Sequence, residues 1–482
     1  MQQRSNLYFN IIGGKFLGQK DRTITIQTTR KVITMNRNLL FATIVSALGS
    51  FLFGFDTAVI SGTTKFISQY FHLHDAFIPF QHSLGFTVAF ALAGTVIGSF
   101  FIGKPGDVWG RKTMLFFCGI LFLISAIGCS IATHWWVLLS ARFIGGVAIG
   151  AASVMAPMYI AEIAPGRLRG RLVAVAQFNI VFGILVAFFS NYLLVNHFGA
   201  DNWRWMFGVM ALPSALFFGL LFLVPESPRW LVKKGRVDNA RSVLQKVGAH
   251  NVQAELTDIV NSLKEETGAG VTPLYQKKYS FAILCAVLLA IFNQLSGINV
   301  IMYYAPKIFE AAGASTNASM MQAVAVGMTN MVFTIIAMFF IDKLGRKTLL
   351  LIGAVGMCLS LSGAGMHYLN PNFMTGAGVV VFIVGFIAFF AFSQGAVIWV
   401  FLAEIFPNKV RGKGQSLGSF THWIMNFIIA LVFPSVLAAF GGGPIFMFFS
   451  IMMVPFFFFV WKMMPETKGK SLEELEKIIV RE

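Results

Sequence analysis

Long apolar blocks alternate with short polar segments along the whole chain. A helix needs about 20 apolar residues to cross the hydrocarbon core of a bilayer, and twelve blocks approach that length. A transmembrane β-barrel would show short segments of alternating polarity instead. The pattern therefore predicts an all-α membrane protein with twelve transmembrane helices, at residues 39–62, 83–103, 113–133, 136–159, 171–195, 203–224, 279–303, 320–341, 348–368, 377–403, 414–438 and 443–464.

Composition and charge support this prediction and orient the helices. Hydrophobic residues make up 56% of the 482 positions and charged residues only 12%, too few to cover the surface of a soluble protein. With a cytoplasmic N-terminus, 33 of the 37 Lys and Arg residues fall on the cytoplasmic side. The positive-inside rule then predicts that both termini are cytoplasmic. The net charge of +17 thus sets orientation and does not indicate a nucleic-acid partner.

The two halves of the chain repeat the same motifs. Asp107-x-x-Gly-Arg-Lys recurs from Asp342 at an offset of 235, and Glu162-Ile-Ala-Pro recurs from Glu404 at an offset of 242. Pro225-Glu-Ser likewise recurs as Pro465-Glu-Thr. Two like six-helix halves, related by an axis along the membrane normal, are typical of transporters that bind substrate between the halves.

The repeat divides the chain into five expected segments. A polar leader precedes the first bundle, a charged linker with short cytoplasmic helices joins the bundles, and a short tail follows. No function is assigned to residues 1–34. The expected bounds are 1–38 for the leader, 39–224 and 279–464 for the six-helix bundles, 225–278 for the linker and 465–482 for the tail.

Acidic and basic residues recur at the cytoplasmic helix ends of both halves. Salt bridges among them would hold the cytoplasmic side closed and break when it opens. Any one of them could instead anchor a helix end at the lipid headgroups, but the repetition favours a gate. The candidate cytoplasmic gate residues are Asp107, Arg111, Glu162, Arg169, Glu226, Arg229, Asp342, Arg346, Glu404 and Arg411.

Asp56 is the one acidic residue placed well inside a predicted span, and Arg142 is its one basic counterpart. Counted from the outer ends of their spans, both lie about 9 Å deep at the helical rise, so the two can meet. Intramembrane charges are usually paired or functional. A carboxyl whose pairing changes with conformation could carry a proton, whereas a static structural ion pair is the alternative.

The other polar residues inside the predicted spans are uncharged and are interleaved with aromatic residues. Amides donate and accept hydrogen bonds, so amides beside flat rings suit a neutral polyhydroxyl ligand such as a sugar. Each could also hydrogen-bond between helices. The candidate substrate-binding residues are Phe53, Gln177, Asn293, Gln294, Asn299, Tyr303, Asn330, Trp399, His422, Trp423 and Asn426.

From Met35 onward the chain resembles the sugar porter family of the major facilitator superfamily, and in particular bacterial xylose–proton and hexose–proton symporters. The strings that carry the resemblance are Phe53-Gly-Phe-Asp-Thr-Ala-Val-Ile-Ser-Gly, Arg142-Phe-Ile-Gly-Gly, Pro225-Glu-Ser-Pro-Arg-Trp-Leu, Gln294-Leu-Ser-Gly-Ile-Asn, Tyr303-Tyr-Ala-Pro and Pro465-Glu-Thr-Lys-Gly. The resemblance implies the major facilitator fold and a proton-coupling role for Asp56 and Arg142. It also implies sugar contacts for the candidate binding residues other than Phe53 and His422.

Several positions depart from the family pattern. Asn293 replaces a common Gln, and the glycine at 395 is not followed by the usual proline. His422 stands where an amide is usual, and could bind sugar, sense pH or only pack. Ile184 replaces a polar residue of xylose porters. The choice between pentose and hexose stays open.

The expected function is import of a monosaccharide by proton symport in the cell (inner) membrane, by a monomer with alternating access. A facilitative sugar uniporter is the first alternative, and the acid at position 56 favours symport because facilitative relatives typically carry an amide there. A transporter-like sugar sensor is the second alternative. The sequence contains no nucleophile–base set or metal-ligand cluster, so we expect neither enzymatic activity nor a cofactor.

Overall fold

The structure is a computed structural model that describes residues 36–76, 80–165, 168–249, 251–268, 273–370, 373, 378–407, 409–470 and 474–475. The expected leader lies outside the described residues up to position 35, as does most of the tail beyond position 470. Within the described ranges, twelve helical segments are long and apolar enough to cross a membrane. The twelve-helix prediction is confirmed.

Within the described residues, the first half and the linker form eleven α-helices, and the second half forms eight. Helices of the first half are α1 (Arg37–Tyr70), α2 (Leu84–Phe101), α3 (Gly103–Trp109), α4 (Arg111–Ser130), α5 (Trp135–Ile163), α6 (Arg169–Leu194), α7 (Asn202–Gly208) and α8 (Ala211–Leu220). The linker adds α9 (Pro228–Lys233), α10 (Val237–Lys246) and α11 (Val252–Gly268). The second half contains α12 (Ser280–Leu295), α13 (Ile298–Ala311), α14 (Thr316–Leu344), α15 (Arg346–Leu369), α16 (Gly378–Phe392), α17 (Gln394–Glu404), α18 (Arg411–Phe440) and α19 (Gly442–Lys462).

Three spans that the hydropathy pattern predicts as continuous helices are interrupted in the structure, the first of them at residues 209 and 210, between α7 and α8. Between α12 and α13, Gly297 adopts a left-handed conformation with φ of +84°. Within α13, Tyr304 leaves helical geometry two residues before Pro306, which cannot donate a helix hydrogen bond. Between α16 and α17, Ser393 (φ −120°, ψ −90°) breaks the helix although the usual proline is absent. Hydropathy averaged over a span cannot register such breaks, because the span as a whole remains apolar.

The two halves meet along helix pairs α2–α18 and α6–α14. At the first contact, a Cβ atom on Gly85 would lie only 2.0 Å from the backbone oxygen of Leu431. At the second, a Cβ atom on Gly327 would lie 3.1 Å from the Cα atom of Leu185. Because glycine has no side chain, the backbones of the two halves approach directly at these points.

The linker packs against one end of the bundle, which we call the linker end, and the opposite end is called the far end. The Trp230 indole N–H donates to the backbone oxygen of Asp107 at 3.1 Å, and Lys233 Nζ lies 3.0 Å from the Asp107 carboxylate. The Asn38 amide donates to the backbone oxygen of Lys246 at 3.0 Å. These bonds dock the linker onto the first half.

Candidate functional site

Seven of the eleven candidate binding residues form one connected cluster at the boundary between the halves. Phe53 of α1 and Trp423 of α18 bring the halves into ring contact, with centroids 5.8 Å apart. His422 contacts Trp423 at 5.2 Å and Trp399 of α17 at 5.0 Å. His422 also reaches Gln294, which connects the aromatic rings to the amides of the second half.

The amides next to His422 form a short hydrogen-bonded chain. The Asn299 amide N–H donates to Gln294 Oε1 at 2.9 Å, and Gln294 Nε2 donates to Asn293 Oδ1 at 3.2 Å. Gln294 Nε2 also lies 3.2 Å from both ring nitrogens of His422. The break after α12 makes this possible, since Gly297 turns the chain so that Asn299 points back to Gln294.

The remaining candidate binding residues lie outside this chain of contacts. Asn426 Nδ2 donates to the hydroxyl of Tyr303 at 2.9 Å, and this buried pair joins α18 to α13. Asn330 is buried on α14, and Gln177 is partly buried on α6. In the described part of the chain, neither of them forms a hydrogen bond to the cluster. Their placement in the site stays a prediction.

Asp56 and Arg142 form a buried ion pair in the first half, as the depth comparison predicts. Arg142 Nη1 donates to Asp56 Oδ1 at 2.7 Å, and both side chains are at most 3% exposed. The guanidinium also lies 5.6 Å from the ring centroid of Phe207. Asp56 Oδ2 and Arg142 Nε have no partner among the described residues. One carboxylate oxygen is therefore available for a proton or another donor.

Ser125 of α4 is a neighbour of this pair that sequence reasoning missed. Its hydroxyl is fully buried and has no hydrogen-bond partner among the described side chains. A Cβ atom built on Gly145 would lie 2.4 Å from the Ser125 hydroxyl and 3.7 Å from Asp56 Oδ2. The glycine thus leaves room for the two unpartnered oxygens to approach each other. No sequence signal distinguishes Ser125 from other small residues of its span.

At the linker end, the first-half candidates Asp107, Arg111, Glu162 and Glu226 belong to one polar network. Arg111 donates to Asp107 Oδ1 at 2.8 Å and to Glu162 at 3.0 Å, while the Ser227 hydroxyl bonds to Glu162. Glu226 Oε1 accepts from the backbone N–H of Lys112 at 3.0 Å. All of these residues lie in the first half or at the start of the linker.

The second half repeats this network with its own residues. Arg346 donates to Asp342 at 2.9 Å and to Glu404 at 3.0 Å. The hydroxyl of Thr467 donates to Glu404 at 2.6 Å, as Ser227 does to Glu162. Glu466 accepts from the backbone N–H groups of residues 346 and 347, each at 3.0 Å. Sequence reasoning missed these roles of Ser227, Glu466 and Thr467, although the repeated Pro-Glu-Ser/Thr motif signals them.

The three other candidate gate residues are less directly connected to these networks. Arg169 and Arg229 line a cavity of about 710 Å³ between the first half and the linker helices. The cavity wall also includes Glu162 and Lys233. Arg411 Nε donates to the backbone oxygen of Phe406 at 3.4 Å.

Two network carboxyls outside the membrane-spanning segments have shifted pKa values. Burial raises the pKa of Glu226, although backbone N–H groups of Lys112 and Ser227 act against this rise. Partial burial acts to raise the pKa of Asp107 too, but hydrogen bonds from Lys233 and Arg111 hold it below its ordinary value. Asp107 is therefore ionised over the physiological range, as its ion pairs require.

At the far end, two ion pairs between described residues cross the boundary between the halves. Lys65 Nζ of α1 lies 3.1 Å from Glu310 Oε1 of α13, and Lys307 Nζ lies 2.5 Å from Asp75 Oδ1. The hydroxyl of Ser435 donates to the backbone oxygen of Asp75 at 2.5 Å. The two lysines are among the four Lys and Arg residues that the predicted topology leaves outside the cytoplasmic segments. The sequence does not indicate their partners, because the pairing depends on how the halves dock.

Comparison with known proteins extends over nearly the whole chain. The family described as "Sugar (and other) transporter" matches residues 42–479. The D-xylose-proton symporter of Escherichia coli K12 is 37% identical over 481 residues, covering 92% of this chain and 96% of that protein. The D-xylose transporter of Levilactobacillus brevis is 37% identical over 441 residues, covering 90% and 94%. The inward-open structure of the xylose transporter XylE from E. coli superposes with a TM-score of 0.81 at 34% identity, covering 92% and 100%.

Proposed function

Because this chain belongs to the sugar transporter family, we propose that it imports a monosaccharide, either a pentose or a hexose, together with a proton. The observation that carries the proposal is the buried Asp56–Arg142 pair in one half, beside an uncharged cluster of amides and rings at the boundary between the halves. Relatives named as D-xylose-proton and arabinose-proton symporters support it.

The sugar binds to the cluster and its surroundings. Sugar hydroxyls donate and accept hydrogen bonds, which the side-chain amides match, while sugar C–H faces pack on aromatic rings. The unpartnered Asn293 Nδ2 and Asn426 Oδ1 are buried polar atoms that a sugar hydroxyl would satisfy. The binding residues are Phe53, Gln177, Asn293, Gln294, Asn299, Tyr303, Asn330, Trp399, His422, Trp423 and Asn426.

Asp56 carries the coupling proton and Arg142 controls its release. In the present state, Arg142 bonds to one carboxylate oxygen, which stabilises the ionised form. When α1 and α5 shift against each other within the first half, the pair separates, and the buried carboxylate without its partner takes up a proton. The proton and the sugar then cross in the same conformational change.

Access to the site alternates as the two halves rock against each other. Far-end ion pairs close one side in this structure, and its likeness to an inward-open relative supports an inward-facing state. The linker end is then the cytoplasmic side, which agrees with its basic residues. Its networks act as the gate, with Arg169, Arg229 and Arg411 joining them when that side closes. The protein works as a monomer in the inner membrane, with both termini in the cytoplasm.

The proposal is tested with purified protein in proteoliposomes and a panel of pentoses and hexoses. Sugar added outside should enter the lumen and make the outer medium more alkaline, with one sugar class giving the strongest response. Sugar entry without alkalinisation would identify a uniporter. A chain that moves no sugar of the panel would contradict the assignment of a sugar substrate.

A further inference from the structure

His422 occupies the junction between the rings and the amides of the site. Its side chain is 8% exposed and lies between the rings of Trp399 and Trp423. Gln294 Nε2 faces its ring at 3.2 Å. No charged side chain forms a hydrogen bond to His422 within the described ranges. The ring is therefore held by two aromatic contacts and one amide.

The hydrogen bonds of Gln294 determine whether His422 acts as a donor or as an acceptor in this contact. Gln294 Nε2 lies 3.2 Å from each ring nitrogen, and an amide nitrogen only donates, so one of the two ring nitrogens must offer a lone pair. The other ring nitrogen then carries the proton, and the imidazole is neutral. With one N–H directed to His422 and the other to Asn293 Oδ1, both donors of Gln294 Nε2 are used.

The amide of Gln294 cannot turn over alone. A 180° turn would place its nitrogen against the donor Nδ2 of Asn299, and its oxygen against the acceptor Oδ1 of Asn293. Each of the two good bonds would become a contact between like groups. The orientations of the Asn299, Gln294 and Asn293 amides therefore depend on one another. His422 provides an acceptor for Gln294 at the end of this hydrogen-bonded series.

We propose that His422 is a positioning residue that holds Gln294 with its Oε1 toward Asn299 and so fixes which groups the site presents to a sugar. This rests on the proposed sugar site. In the fixed arrangement, Gln294 Oε1 keeps one lone pair free and Asn293 Nδ2 is an unused donor. One sugar hydroxyl can donate to the first and accept from the second. Without His422, the Gln294 amide loses an acceptor for its N–H group, and its two orientations become closer in free energy.

Among the described residues, the ionisable side chains on the helices around His422 do not form hydrogen bonds to its ring. Tyr303 of α13 bonds to Asn426, one helical turn beyond His422 on α18. The Asp56–Arg142 pair lies in the first half. The Asp56→Asn variant lacks the titratable carboxyl of the first half. Any pH dependence of sugar binding that persists in this variant therefore comes from other groups, among them those of the second half.

The test compares three replacements of His422 in the Asp56→Asn protein, with D-xylose and D-glucose as probes. His422→Gln retains an acceptor, whereas His422→Phe keeps an aromatic ring without one, and His422→Ala removes both. Net hydrogen-bond strengths lead us to expect about three- to tenfold weaker binding in the Phe and Ala variants, with most of the affinity restored in the Gln variant. Equal affinity of the Phe variant and the His422 protein would overturn the proposal, as would equal losses in the Gln and Phe variants.

A second measurement needs no sugar, so it remains decisive if the proposed substrate is wrong. Nitrogen-15 spectra of labelled histidine, with His422 assigned by its loss in the Gln variant, should show one protonated and one unprotonated ring nitrogen at neutral pH. A ring with both nitrogens protonated cannot accept from Gln294 and would refute the positioning role. Acidification until the ring is protonated should weaken D-xylose binding with His422 present and leave the Gln variant unchanged.

Discussion

Lys307 of the second half and Asp75 of the first half form an ion pair of 2.5 Å at the far end of the bundle. Together with Lys65 and Glu310 at 3.1 Å, it joins the halves on the side where the structure is closed. Partly exposed pairs of this kind contribute about 0.2–1 kcal/mol each. That is enough to change a balanced equilibrium between two states several-fold.

Reversal of one charge should open the far end. In Lys65→Glu, two carboxylates face each other, and Glu310→Lys in the same chain restores an attractive pair. Spin labels at the exposed positions Gln69 and Ala311 should show longer distances in the single variant and a return to the original distribution in the double variant.

A reversal within the linker is the matched control for this experiment. Arg241 pairs with Asp238 at 3.2 Å on the same helix, so Arg241→Glu changes charge without touching the boundary between the halves. Its label distances should equal those of the unmodified protein. If Lys65→Glu does the same, the far-end pairs do not hold the halves closed.

Asp56→Asn should abolish uphill sugar accumulation and preserve sugar exchange. With one proton per sugar, an inward gradient of one pH unit supports about tenfold accumulation, since 1.4 kcal/mol corresponds to a factor of ten. The amide cannot carry the proton, so the variant should only equilibrate sugar. Counterflow of labelled sugar in the same vesicles shows that the site still works. Full gradient-driven uptake by the variant would rule out a coupling role for Asp56.

The single variant Arg142→Gln should be less stable than the double variant that combines Arg142→Gln with Asp56→Asn. Removal of the guanidinium leaves a buried carboxylate without its partner, a loss of about 3–5 kcal/mol when such pairs are broken. The double variant contains two neutral groups and should unfold closer to the original protein. Thermal unfolding of the four proteins of this cycle in detergent measures the coupling. Additive effects would mean that the 2.7 Å contact contributes no coupling free energy.

Gly110→Ala should destabilise the linker end, whereas Gly103→Ala should not. Gly110 has a φ of +102°, and an added Cβ would lie 2.3 Å from Glu226 Oε2, while the position at Gly103 is open. The expected loss for Gly110→Ala exceeds about 1 kcal/mol. Gly345→Ala should repeat it, because its Cβ would lie 2.5 Å from Glu466 Oε2. Equal unfolding temperatures for the variants at 103 and 110 would contradict the predicted clash.

The sequence predicts those parts of the molecule that depend on composition along the chain. Block length yields the twelve helices, and counting residues from span ends brings Asp56 and Arg142 together. The repeat identifies the two networks at the linker end, one in each half. By contrast, the breaks at Gly297 and Ser393 depend on local backbone geometry, which the mean hydropathy of a span does not report. The partners of Lys65 and Lys307 depend on docking of the halves, which local sequence does not encode.

The hydrogen bonds of Arg111 and Arg346 each return to the half from which they start. Each half can therefore tilt without exchanging these bonds, and the contacts that the tilt itself breaks lie along the boundary between the halves. The two orientations can then be nearly equal in free energy. A carrier built this way responds to small driving forces, such as the protonation that we propose for Asp56.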